Sequence, residues 1–559
     1  MIRPFRFLSS EVRGMHQAAY LLAAFSFGSQ LLALVRDRLL AGAFGAGHTL
    51  DLYYAAFRIP DFLFATVASL FSLYALLPIL SRLESEREGL MVSFLRDILA
   101  VFFAGMAVIA MIAYILAPVL ITLIAPGFSD PASRADLILL VRILLLQPIF
   151  LGASNTIAAL TQLRHRFVLY SISPLLYNLG IIFGAVVLYP RFGIAGLGWG
   201  VVSGALLHMA IQLPFFLSEK PQSRLSFTRM FAGVREVLTL SVPRTFALAS
   251  TQISLLVIVA LASLLSAGSI AVFTFAYNLQ AVPLTIIGVS YSVAAFPTLA
   301  RLHAQGAQKE FVQYIEAAIR HIVFWSIPAT VFVIVMRAQI VRVILGSGQF
   351  DWNATRLTAA ALALFILSLC AQSVTLLIAR AYYATGNTRK PLYYGCVDIA
   401  VSIGSALFLV WIFNENAFVR AFVESLLRVD DVPGTSVLML ALGYALGSIA
   451  EFLVGYFYFV RDFSLSRTQL MRLSFESFSA AVIGAAVAYG ILLITGSNAQ
   501  VNTTASLIVQ SLIAGTVGLA VAGAMLWLLK NRELAEAVAA LKRRFVDAPP
   551  VALEPSDVS

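Results

Sequence analysis

Charge is what this sequence has least of. Of its 559 residues, 12% are Asp, Glu, Lys or Arg and 60% are hydrophobic, whereas soluble domains are about a quarter charged and half apolar. A water-soluble core cannot hide that much apolar surface, so the bilayer must be the solvent. Cysteine is nearly absent. Cys370 and Cys396 both lie in apolar stretches, which argues against a disulfide framework or a thiolate metal site. The six histidines are scattered (His16, His48, His165, His208, His303, His321), and there is no CxxC, HExxH or Walker loop. A metalloenzyme or an ATPase is therefore not expected, and neither is a cofactor.

Long apolar runs take the place of charge. Runs of about 20 residues predict an all-α membrane protein of about fourteen transmembrane helices. They lie near 17–36, 51–80, 98–124, 135–162, 168–189, 193–217, 236–265, 268–300, 317–345, 355–384, 390–413, 436–460, 475–495 and 505–529. The first run follows Arg3, Arg6 and Arg13, as a signal peptide would. It is long for such a segment, however, and Arg36-Asp37-Arg38 separates it from the small residues 41–43. It reads as a retained helix.

The loops fix an orientation. Connections on the side of the N-terminus carry 26 Lys and Arg, and those on the opposite side carry 9. Positive charge stays cytoplasmic, so both termini are expected in the cytoplasm of a multi-pass inner-membrane protein. The same bias accounts for the net charge of +10 without nucleic acid as a partner.

A faint internal repeat runs through the first two thirds of the chain. ALLPILSRL (75–83) resembles AAFPTLARL (294–302), and AGHTLDLYYAAFRI (46–59) resembles AGSIAVFTFAYNL (267–279) with a one-residue gap, at a spacing of about 219. Six helices per unit keep one orientation, so the repeat is parallel. It predicts two pseudo-symmetric six-helix lobes with a site between them, as in alternating-access transporters. Two helices without Lys, Arg, Asp or Glu between Ser477 and Leu529 stand outside it, followed by a charged amphipathic segment and a polar tail. The expected divisions are an N-terminal lobe (1–217), a cytoplasmic linker (218–235), a C-terminal lobe (236–462), two extra helices (463–530) and a cytoplasmic tail (531–559).

Charges inside a bilayer are expensive and mark candidate sites. The first half offers Arg36, Asp37, Asp51, Arg58, Asp61 and Arg142, and the second half offers Arg244, Asp398 and Glu451. Cations in a water-filled cavity suit a phosphate or diphosphate. Carboxylates deep in helices, Asp398 and Glu451, suit a coupling ion, Na⁺ or H⁺. A simpler role for the first set is an ion-pair network that closes one side. Pro60, Pro174, Pro243, Pro283, Pro297 and Gly288 supply kinks. A polytopic glycosyltransferase with a polyprenyl donor is the contrasting class. The longest outer loop, Asn414–Thr435, holds Glu415, Glu424, Asp430 and Asp431 but no His or Cys. Its acids are expected simply to keep a solvated loop soluble.

VRDRLLAGAFGAG (35–47), Asp51 and AFRIP (56–60) resemble the opening of the MurJ/MviN family of lipid II flippases. The resemblance continues in order through LTQLRHRF and SPLLYN (160–178), TQISL (251–255), FPTLAR (296–301), GSGQF (346–350) and ARAYYATGNTRKP (379–391). It implies the fold of the MOP exporters, with a central cavity and two extra helices forming a groove for a polyprenyl tail. It also implies a monomer whose partners are membrane lipids and lipid II or a similar polyprenyl-diphosphate glycan. Arg36 keeps one cavity position at which the family has a diphosphate-gripping arginine, and Arg58, Asp51 and Arg142 match charged family positions. Other such positions read Gln30, Phe64 and Asn278, and a family acidic position reads Ala281. Arg58 and Arg244 stand as compensating cations beside Asp37 and Asp51. Export of another polyprenyl-linked glycan, or of a drug, is the alternative within the same superfamily.

Overall fold

The computed structural model describes residues 15–71, 76, 79–80, 82–83, 88–219, 227–463, 468–496 and 504–545, some of them by backbone alone. Every regular element among these is helical. The principal helices are Met15–Phe44, His48–Ala56 with Arg58–Thr66, Glu88–Ile124, Pro131–Leu144 with Gln147–Leu163, Phe167–Phe183, Ile194–Ala210 and Phe227–Ser263. They continue as Ser269–Leu284 with Ser290–Ala304, Gln308–Leu345, Trp352–Ile366 with Leu369–Ala384, Arg389–Glu415, Val437–Phe463, Thr468–Gly496 and Thr504–Leu528. The described parts of the fourteen apolar runs are mostly helical, with breaks at 57, 67, 145–146, 211–212, 264–265 and 367–368.

Ten of these regions are long and apolar enough to cross a membrane, or eleven if the broken pair Trp352–Ile366 and Leu369–Ala384 is one span. The expected spans 17–36, 51–80 and 236–265 are not among these, and of the last only Ser250–Ser263 qualifies, as a shorter apolar helix. The second is the most broken. It is cut at Phe57 into helices of 9 residues each, and it carries Asp51, Arg58 and Asp61. The chain is an all-helical, multi-pass membrane protein.

Two compact units can be distinguished. One comprises Met1–Val282, Val341–Ser368 and Gly386–Gly455, and the other Pro283–Ile340, Leu369–Thr385 and Tyr456–Ser559. In the first unit, helices Phe167–Phe183 and Ile194–Ala210 pack backbone to backbone. A Cβ on Gly180 would come within 2.2 Å of Gly204 Cα, and one on Gly200 within 2.3 Å of Gly184 Cα. Lipid gives helices no hydrophobic reason to associate, so small residues that permit such approach supply the van der Waals contact. A core of Phe71, Met91, Phe94, Phe102 and Ile157 fills the same unit.

Two of the segments that carry the family resemblance also meet here. Gln349 N–H donates to Gly42 O at 2.9 Å, and Arg38 donates to Val343 O at 2.6 Å. Gly348, at φ +52°, lies so close that a Cβ would strike Gly42 O.

In the second unit, the helices Thr468–Gly496 and Thr504–Leu528, which carry no charge between Ser477 and Leu529, form a tight hairpin. Gly484 and Gly518 lie against each other, and Phe332, Met336, Ala488, Leu492, Ala514 and Ala522 fill its core. The charged segment after them forms helix Arg532–Phe545, as its pattern predicts. Glu533 is held by Arg320 at 3.4 Å and Glu536 faces His321 at 3.4 Å.

Candidate substrate cavity

The first unit holds a partly open cavity of about 270 Å³. Its polar wall comes from five helical regions, three of which carry intramembrane charge in the sequence. Met15–Phe44 contributes Arg36. The broken second region contributes Tyr53, Tyr54, Arg58 and Asp61, and Phe167–Phe183 contributes Tyr177. Gln252 lies on Phe227–Ser263, and Thr274, Tyr277 and Asn278 lie on Ser269–Leu284. The two segments paired by the internal repeat, 46–59 and 267–279, thus supply facing walls. They touch through Tyr54 and Phe275, whose ring centroids are 5.7 Å apart.

Arg36 is held rather than loose. Its Nε and one terminal nitrogen donate to Asp37 Oδ1 at 2.9 and 2.8 Å, and the other terminal nitrogen donates to Asn178 Oδ1 at 2.9 Å. Asn278, which stands where the family has an arginine, donates to Asp37 Oδ2 at 3.1 Å. Asp37 is buried and satisfied from both sides, so it orients Arg36 without facing the cavity. A guanidinium has five N–H donors, and these bonds use three of them.

Arg58 differs. Its Nε is buried with no hydrogen-bond partner, and the Tyr54 hydroxyl and Thr274 Oγ1 on the same wall share that condition. A buried polar atom without a partner costs about 1–3 kcal/mol. Three of them around one cavity mark a place where water or a ligand completes the bonding. Asp61 stands one helical turn from Arg58 on the same wall.

Asp51, expected among the substrate residues, lies outside this cavity. Its carboxylate accepts the Gly268 and Ala271 N–H groups, the orphan donors at the start of helix Ser269–Leu284. It lines a second cavity of about 190 Å³ formed with the connections near 127–133 and 263–267. There His48 Nε2 is 2.8 Å from Ser133 Oγ, and Asp130 Oδ2 accepts both the Ser133 N–H and its hydroxyl. Arg142 is also remote, over the Tyr114 ring at 4.6 Å. Phe64 packs on the apolar core. The side chain of Arg244 lies outside the described residues.

Asp398 and Glu451 sit elsewhere in the same unit. Asp398 is buried and accepts hydroxyl hydrogens from Ser254 at 3.0 Å and Ser402 at 3.1 Å. Glu451 is half-buried and within range of Asp398's field. Tyr277 of the cavity wall meets Tyr444 edge-on at 5.7 Å, and Tyr444 precedes Glu451 by two turns of one helix.

The sequence profile of the family described as "Lipid II flippase MurJ" matches residues 40–512. The chain belongs to the MurJ lipid II flippase family. Its members are transporters rather than enzymes. A probable lipid II flippase MurJ from Rhizobium tropici is 27% identical over 409 residues, covering 71% of this chain and 76% of the relative. A solved lipid II flippase MurJ in an inward closed conformation superposes with a TM-score of 0.69 at 20% identity, over 92% of this chain and all of that one. An inward-facing multidrug resistance MATE transporter of the MOP superfamily gives 0.62 at 13% identity, over 78% of this chain and 94% of that one. Both structural likenesses concern the MurJ/MATE fold.

The cavity residues not singled out from sequence are polar ones without charge: Tyr53, Tyr54, Tyr177, Gln252, Thr274 and Tyr277. A signal was present, since Gln252 lies in TQISL, Tyr177 in SPLLYN, and the others in the two repeated segments.

Proposed function

We propose that this chain flips lipid II, or a closely similar polyprenyl-diphosphate glycan, across the inner membrane by alternating access. The observation that carries this reading is Arg36 and Arg58 on one wall of the cavity, with Arg58 Nε, Tyr54 and Thr274 lacking partners. A diphosphate supplies the acceptors that such a wall lacks, and a guanidinium fork matches its geometry. The protein acts as a monomer with both termini in the cytoplasm, in line with the loop charges. Two six-helix lobes, 1–217 and 236–462, rock about the site, and the helices of 463–530 guide the polyprenyl tail. Asp398 and Glu451 form the coupling-ion site for Na⁺ or H⁺, which provides the drive that a chain without a nucleotide motif needs. Asp51 and Asp37 serve the site from behind, Asp37 by orienting Arg36.

Asp61 on the cavity wall favours a second reading, export of a cationic drug. The test is complementation of a flippase-depleted bacterium, with lipid II exposure measured at the outer leaflet. Arg36→Ala, at normal protein level, abolishes both. Growth and exposure at the wild-type level in that variant would refute the diphosphate reading. Loss of cation export without loss of lipid II exposure would favour the drug.

A further inference from the structure

The connection 414–435, read from sequence as a solvated loop, is not one. It contains an 11-residue helix, Ala417–Leu427, pinned at every corner. Asn416 starts it by accepting the Phe418 and Val419 N–H groups at 3.0 and 3.2 Å. Arg428, at φ +60°, ends it. Arg420 lies over the Phe413 ring at 5.7 Å and donates to Phe413 O and Asn414 O. Glu424 accepts the Thr435 hydroxyl hydrogen. Arg356 donates to Arg428 O at 2.6 Å and pairs with Asp431 at 2.6 Å. Two of the acids expected to solvate this loop, Glu424 and Asp431, instead tie it down.

The tethers set which way the helix faces. Arg420 and Glu424, on the opposite side, bond to Phe413 O, Asn414 O and Thr435, while Phe418, Phe422 and Leu426, four residues apart on one stripe, make none of these bonds and are 78%, 59% and 66% exposed. The Phe418 and Phe422 rings stack at 6.5 Å. In water an amphipathic helix presents the opposite face. The apolar stripe therefore needs an apolar cover.

We propose that Ala417–Leu427 is an interfacial helix whose Phe418–Phe422–Leu426 face lies in the phospholipid leaflet on its side of the membrane. Position favours lipid over a protein partner. The helix begins two residues after span Arg389–Glu415 ends and closes ten residues before span Val437–Phe463 begins, so it lies at the membrane edge. Its stripe continues the exposed Phe408 and Trp411 of the preceding span. Aromatic residues at such a boundary anchor in the headgroup region, and the buried apolar face lies only a few ångströms deep. The helix thereby fixes the depth of the 389–415 and 437–463 hairpin, which carries Asp398 and Glu451.

The test places an environment-sensitive fluorophore at Phe422→Cys in a Cys370→Ser, Cys396→Ser background. The full chain is held in nanodiscs of phosphatidylethanolamine and phosphatidylglycerol, with Leu426→Cys as a second site and exposed Asp430→Cys as the aqueous control. The expected result is quenching at 422 and 426 by acyl-brominated lipid and protection from aqueous iodide, with the reverse at 430. Iodide quenching at 422 and 426 without bromolipid quenching would overturn the proposal and leave the stripe as a surface for another protein.

Discussion

Two polar cavities lie in one unit of this protein, and they are built on opposite principles. Around the larger, Arg58 Nε, the Tyr54 hydroxyl and Thr274 Oγ1 lack partners. Around the smaller, Asp51 closes on the Gly268 and Ala271 N–H groups, and His48, Ser133 and Asp130 close on one another. The sequence offers Asp51 and Arg58 as equal intramembrane charges seven residues apart. Their surroundings separate them, because a satisfied charge fastens helices while unsatisfied donors wait for an acceptor.

The largest test of that contrast is a pair of substitutions. Arg58→Ala removes a buried Nε that has no protein partner. Lipid II exposure at the outer leaflet should fall about 10- to 100-fold, the equivalent of about 1.5–3 kcal/mol for bonds to a charged group. Thermal stability in detergent should hold or rise, since a buried unpaired group is gone. Asp51→Ala should do the reverse. The start of helix Ser269–Leu284 loses its cap, at a cost of about 1–2 kcal/mol, so melting temperature and abundance fall. Exposure per folded molecule should stay within about threefold. If Asp51→Ala stops transport at unchanged stability, the two cavities are one functional path.

A smaller effect is expected at Tyr54. Tyr54→Phe deletes a partnerless hydroxyl and keeps the ring against Phe275. Stability should be unchanged or slightly raised, and transport should fall by about 5-fold, one neutral hydrogen bond. Transport at the wild-type rate would mean that the hydroxyl faces water throughout the cycle.

The smallest effect concerns pH at the closed cavity. The Ser133 N–H and hydroxyl hold the Asp130 carboxyl below its ordinary value. A depressed folded-state value stabilises above the unfolded carboxylate range near pH 4, and that contribution is lost as pH falls through the lower, folded value. Between pH 7 and 5 Asp130 should therefore leave the melting temperature flat. Below about pH 4, wild type should lose slightly more stability than Asp130→Asn. Equal slopes for the two proteins across that range would remove Asp130 from the account.

The fold was legible because its signals are long. An apolar run of about 20 residues survives an error of several residues at either end, and all fourteen regions are mainly helical where described. The resemblance in residues 35–60 and 346–350 was legible as sequence, but the hydrogen bond that joins Gln349 to Gly42 was not. The cavity was half legible. Arg36, Arg58 and Asp61 stood out because charge in a bilayer is rare. Tyr54, Gln252 and Thr274 did not, because a hydroxyl or amide in an apolar helix is ordinary until its partners are known. The place of Asp51 at the second cavity was not legible for the same reason: its two partners are backbone groups more than 200 positions away. The 414–435 helix was hidden by its acids, whose tethers to Arg356 and Thr435 are tertiary.

The central claim, that Arg36 and Arg58 grip a diphosphate, is tested most directly by lipid II binding to purified protein in native mass spectrometry. Wild type, Asp51→Asn and the double variant Arg36→Ala/Arg58→Ala would be compared, with free inorganic diphosphate as competitor. The account predicts retained lipid II adducts, displaced by diphosphate, for wild type and Asp51→Asn, and their loss in the double variant. Equal, diphosphate-insensitive adducts in all three would contradict it.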